Sequence, residues 1–168
     1  QAMGVVKRKP PARGGIGVRE LLARFAATAA ETAATPDGEI ASMGGELKVA
    51  CRALARATEH LLDVSRQEQV DALGCATSYL RLFALVAGGT LLARACNAAG
   101  PADAVRRQLD LSFRFFVERI LPEAGCLVRI VTAGPDLFDD IREFLGVPEG
   151  DCAPYVATSP HARQGATA

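Results

Sequence analysis

The chain has 168 residues, and its 19 Lys plus Arg are balanced by 19 Asp plus Glu. No global field therefore draws nucleic acid or anionic lipid to it, and binding to either is not expected. Apolar residues make up 49% of the sequence, aromatics only 5%, and Trp is absent. That composition suits Ala- and Leu-rich helix packing and argues against a β-sandwich.

Residues 1–14 carry Lys7-Arg8-Lys9 followed by Pro10-Pro11, and read as a basic linker whose charges are simply solvated. A first helix is expected from about Gly15 to Ala34, its apolar face drawn from Val18, Leu21, Leu22, Phe25 and Ala29. Thr35-Pro36 fits an N-cap and first-turn pair for the second helix. There Met43, Leu47, Cys51, Leu54, Thr58 and Leu61 recur mostly at spacings of three and four, as far as Asp63. Ser65 and Glu68 then match a capping box that would start the third helix after a very short turn.

The third helix contains an uncharged run from Leu82 to Ala93, closed by Arg81 and Arg94. Twelve residues are too few to span a bilayer, which takes about 20, so a buried core helix is expected. Val70, Leu73, Leu80, Ala84, Ala87 and Leu91 form one face, which Ala76, Tyr79, Phe83 and Val86 widen. Gly88-Gly89 sits in the middle, where glycine costs roughly 0.5 to 1 kcal/mol each relative to Ala, and predicts a close helix crossing. A phosphate loop fits poorly, because no Lys-Ser or Lys-Thr follows. Gly100-Pro101 ends this helix and opens a fourth, with Val105, Leu109, Phe113, Phe116, Ile120, Ala124, Leu127 and Val131 in phase and a bend at Pro122. Gly134-Pro135 ends the fourth, and Asp136 caps a short last helix to about Leu145. The expectation is an all-α fold: an up-down four-helix bundle over 15–147, with short additional helices at its ends and a flexible tail over 148–168.

Candidate chemistry is sparse. His60, beside Glu59 and one turn before Asp63, resembles a base with an orienting acid, but a polar residue on the outer face of an amphipathic helix explains the same pattern and is the preferred reading. Asp136, Asp139, Asp140 and Glu143 could hold a cation, although acids near a helix N-terminus are favoured without one. Gly15 and Gly17 read as turn glycines, since the third glycine of a dinucleotide fingerprint is missing. Cys51, Cys75, Cys96, Cys126 and Cys152 lie too far apart for zinc or redox motifs. The first four are expected as small buried hydrophobes, and the odd count suits a reducing, cytoplasmic setting. No Glu-x-x-His pair supports a di-iron site. No catalytic, cofactor-binding or metal residue is therefore assigned.

Four stretches nevertheless carry a resemblance. QAMGVVKRKPPARGG at the start resembles the segment that follows the catalytic region in bacterial acyl-CoA dehydrogenases of the methylmercaptopropionyl-CoA type. LARATEHLLD, ATSYLRLFALVAGGTLLARA and FFVERILPEAGCLVRIVTAG are similar to successive helices of the C-terminal domain appended in those enzymes. The likeness covers about residues 1 to 140, with Gly4, Lys7 and Pro10 departing from the usual linker residues. It implies a C-terminal domain, non-catalytic by itself, of a dimeric cytoplasmic flavoenzyme. FAD and the catalytic glutamate would belong to the preceding region, and the chain is expected to be a fragment. The domain's partners would be that catalytic region or a symmetry mate. From the residues alone, a stand-alone helical module for protein interaction or hydrophobic-ligand binding is the alternative.

Overall fold

The computed structural model describes residues 15–67, 75–100, 104–133 and 143–144. All regular structure among them is helical: α1 (Ile16–Ala33), α2 (Gly38–Gln67), α3 (Ala76–Ala98), α4 (Arg106–Arg119), a 3-10 turn (Leu121–Glu123) and α5 (Ala124–Val131). These elements belong to one compact unit that ends at Ala133, and Gly134–Ala168 forms a second. In the second unit only Glu143 and Phe144 are described, both helical and exposed. The linker, the tail, Val70, Leu73, Glu68, Pro101, Cys152 and three of the four clustered acids (Asp136, Asp139, Asp140) lie outside the described residues.

Local chemistry explains most boundaries. Gly15 starts α1 at φ 81°, a left-handed conformation that only glycine adopts readily. Asp37, not Thr35, caps α2: its Oδ1 accepts from the amides of Glu39 at 3.0 Å and Ile40 at 3.1 Å. The Thr35 amide instead donates to Thr32 O and closes α1, so the expected Thr-Pro start lies two residues too early. The second helix also runs past Asp63 to Gln67, which places Ser65 inside it and not at the cap of the next helix. Helix α3 begins only at Ala76.

The core is built on α2. Met43, Leu47, Cys51, Leu54, Thr58 and Leu61 are all buried, as their spacing predicts. Helix α3 presents Ala76, Tyr79, Leu82, Val86, Gly89, Thr90, Ala93 and Cys96 to the interior. Of the expected residues Ala76, Tyr79 and Val86 are buried, but the main face is not: Leu91 is 64% exposed, Ala84 is exposed, and Leu80 and Ala87 are half-buried. The helix is apolar around most of its circumference, so periodicity alone could not choose its inward side.

The expected continuous fourth helix is broken at Ile120, and the 3-10 turn with Pro122 separates α4 from α5. Phe113, Ala124, Leu127 and Val131 are buried as expected and Val117 and Leu121 join them, whereas Phe116 and Ile120 are half-buried and Val105 is exposed.

Hydroxyls inside the core are satisfied. Thr58 Oγ1 donates to Leu54 O at 2.8 Å and lies 3.0 Å from Tyr79 Oη, tying α2 to α3. Thr90 donates to Val86 O, and Thr32 donates to Thr28 O while accepting from Asn97 Nδ2. No buried side-chain nitrogen or oxygen is unpartnered among the described residues. Phe25 and Phe83 bring α1 onto α3, with ring centroids 5.9 Å apart.

Candidate docking surface

The glycine pair of α3 holds an aromatic ring. A Cβ on Gly89 would lie 2.9 Å from Leu47 Cδ1 and 3.2 Å from Phe116 Cε1, and one on Gly88 would lie 3.4 Å from Phe116 Cζ. Side chains, not a neighbouring backbone, fill the space the glycines leave. The expected close crossing occurs instead at Gly44 on α2. A Cβ there would overlap Ala33 N and sit 2.7 Å from Thr32 C, so only glycine lets α1 and α2 meet. The sequence offers one signal for it, since Gly44 falls one residue after the core position Met43 in an otherwise regular helix.

Beside Phe116, which is seated at the glycines, α3 and α4 each expose apolar side chains among polar ones such as Arg81, Arg94, Arg107 and Arg114. Helix α3 presents Leu80, Ala84, Ala87 and Leu91, and α4 presents Leu111 and Phe115, 58% and 61% exposed and about one turn apart. A shallow hollow of about 590 Å³ lies along α4, lined by Ala104, Arg107, Gln108, Leu111, Ser112, Phe115 and Phe116. Ile16, Val49 and Ile130 are exposed singly on other helices, whereas Leu111 and Phe115 lie together, and exposed apolar side chains that gather mark interaction surfaces more often than scattered ones. By length and composition α3 could also cross a membrane. Its buried face, packed with Tyr79, Leu82 and Val86, is that of a core helix.

The chemical candidates are dispersed. His60 is half-buried, but the Glu59 carboxylate is held by Arg19, whose Nε and Nη2 donate at 2.7 and 2.6 Å. That bond outweighs desolvation, which acts the other way, and raises the Arg19 guanidinium above its usual range. Cys51 and Cys96 are buried and free, and burial pushes both thiols up to about 11. Cys75 is half-buried, while Cys126 is exposed and departs from the expected burial, since it faces away from the buried Ala124, Leu127 and Val131 of its own helix. Thiols in apolar surroundings are poor nucleophiles at neutral pH. Gly17 has open space about its Cα, and Glu143 is exposed. No three His, Cys, Asp or Glu side chains group to hold a metal among the described residues.

Against known families, residues 21–141 match the one described as acetyl-CoA dehydrogenase C-terminal like. No curated protein and no solved structure matches the chain.

Proposed function

The chain belongs to the acetyl-CoA dehydrogenase C-terminal-like family, and we propose that it is the accessory domain of an FAD-dependent acyl-CoA dehydrogenase, non-catalytic by itself. The apolar side chains exposed on α3 and α4 then pack on the enzyme's catalytic region or against a symmetry mate in a dimer. The observation that carries this reading is the pairing of family membership with Leu91, Leu111 and Phe115 left exposed. Burying such surface contributes about 25 cal/mol per Å² of apolar area, independent of ionic strength to first order. Docking of this kind is weakly salt-dependent, unlike phosphate-tracking contacts.

The four helical columns form an up-down bundle in this proposal. Arg19–Glu59 and Ala33–Gly44 pair α1 with α2 in opposite directions. Thr58–Tyr79 and Leu47–Gly89 do so for α2 and α3, and Gly89–Phe116 and Arg81–Glu123 for α3 and the fourth column. The methylmercaptopropionyl-CoA subtype is proposed from the co-linear blocks of sequence, and a cytoplasmic setting from the free thiols. FAD is assigned to the catalytic region.

Co-expression with the catalytic region of an acyl-CoA dehydrogenase of that subtype tests the reading. The wild-type chain should co-purify, and the colour of flavin should appear in the complex and not in the chain alone. Leu91→Glu combined with Phe115→Glu should abolish co-purification while leaving the helical circular dichroism intact. Flavin bound by the isolated chain, or association unaffected by both charges, would refute it.

A further inference from the structure

Between α1 and α2 lies a trench of about 300 Å³, lined by Arg19, Leu22, Ala23, Ala26, Lys48, Cys51, Arg52, Ala55 and Glu59. Its origin is geometric. At Gly44 the two backbones touch, so that end is shut. Further along, the helices stand apart, until the Arg19–Glu59 ion pair joins the two walls at 2.6 Å. From Lys48 to Glu59 the trench follows α2 for about 16 Å at 1.5 Å rise per residue. Small and apolar side chains from both helices line it, including Leu22 and Cys51. Burial holds the Cys51 thiol protonated well above neutral pH, so it adds no charge.

One wall carries two cations without a counter-ion. Lys48 and Arg52 are exposed and one turn apart, and neither makes an ion pair among the described residues; Arg24, Arg56, Arg94, Arg107, Arg119 and Arg129 are likewise unpaired there, but only Lys48 and Arg52 line this trench beside the paired Arg19. Like charges at this spacing repel each other along a helix, a cost that an anion between them removes. The two observations complement each other: an apolar trough takes a hydrocarbon, and the cations on its rim take an acid. A trench about 16 Å long suits a short occupant better than a continuous partner helix, and its volume of about 300 Å³ falls at the lower edge of small-molecule sites.

We infer that the α1–α2 trench binds a single-chain amphipathic carboxylate, its alkyl chain along Leu22 and Cys51 and its carboxylate between Lys48 and Arg52. The site shares no residue with the outer side of α3 and α4, so it stands or falls separately from docking on a catalytic region.

Sodium decanoate, kept below its micelle concentration, is the probe, titrated into the full chain by calorimetry and by amide chemical-shift mapping. Saturable one-to-one binding is expected, with shifts concentrated in residues 19–26 and 48–59. Decyltrimethylammonium, which keeps the chain and inverts the charge, should not bind, nor should acetate, which lacks the chain. Lys48→Glu with Arg52→Glu should weaken decanoate at least tenfold. Ala26→Trp, placed at an exposed wall position, should fill the trench and abolish binding, with circular dichroism confirming that both variants fold. Absence of decanoate binding to the folded wild type overturns the inference, as does equal binding by the cationic amphiphile or undiminished decanoate binding by the double charge-reversal variant. If an acidic amphipathic peptide perturbs these residues and decanoate does not, the occupant is a protein helix and the inference likewise fails.

Discussion

Along α2, Met43, Leu47, Cys51, Leu54, Thr58 and Leu61 are buried while Lys48, Arg52, Arg56 and Glu59 are exposed, so polar and apolar residues divide largely between two sides, with Val49 the exposed exception. Along α3, Tyr79, Leu82 and Val86 are buried, yet Ala84 and Leu91 on the opposite side are apolar and exposed. The two helices share one core. The contrast teaches that periodicity locates a buried face only where a polar face opposes it. Where it does not, the outer apolar side is itself informative, because it is surface that a partner can cover.

The sharpest way to break this comparison is to truncate the two sides of α3 in turn. Leu82 is fully buried, so Leu82→Ala should cost about 2 to 5 kcal/mol in urea unfolding. Leu91→Ala, at the exposed position favoured by periodicity, should stay within about 0.5 kcal/mol. Equal losses at both would mean that α3 has no distinct inner side.

The next largest effect belongs to α2. Gly44→Ala should cost about 1 to 3 kcal/mol, since its methyl meets the backbone of α1, which cannot yield as a flexible side chain could. The neighbouring Gly45 has open space, and Gly45→Ala should instead stabilise by about 0.4 to 1 kcal/mol. Melting temperatures moving in the same direction would remove the close crossing from the account.

Tyr79→Phe probes the tie between the two helices. Thr58 keeps its bond to Leu54 O, so no donor is stranded, and the loss should be about 1 kcal/mol. A loss above about 3 kcal/mol would indicate that the hydroxyl pair organises the core and does not merely join it.

A separate effect is a slope with pH, confined to the alkaline range. Burial raises Cys51 and Cys96 from 9.0 to about 11, so the folded chain holds protons that the unfolded chain releases. Their contribution is complete below about pH 9 and is lost as the pH climbs toward 11. Thermal unfolding across that window should show falling stability, and Cys51→Ala with Cys96→Ala should flatten the decline. An unchanged slope would locate the titration elsewhere.

Much of the fold was legible because local rules act within a turn or two. Gly15, the series from Met43 to Leu61 and the interruption at Pro122 each have a short-range cause, and the structure carries each of them. Thr35 misled because Asp37, two residues later, offered a better acceptor to the same helix end. The Ser65 capping pattern yielded to continuation of α2. The trench was not legible at all. Leu22, Lys48, Cys51 and Arg52 are ordinary amphipathic-helix residues until two helices are set side by side.

The sequence by itself determined an all-helical chain, the core stripe of α2 and family membership, since composition, 3.6-residue periodicity and similarity over residues 21–141 are all properties of the string. Tertiary structure alone decided which side of α3 faces inward, that Gly44 and not Gly88-Gly89 allows two backbones to touch, and that Lys48 and Arg52 overlook an apolar trench. The physical reason is that each depends on the distance between atoms far apart in the chain. Phe116 must first reach Gly89, and Ala33 must reach Gly44, before either glycine acquires its role.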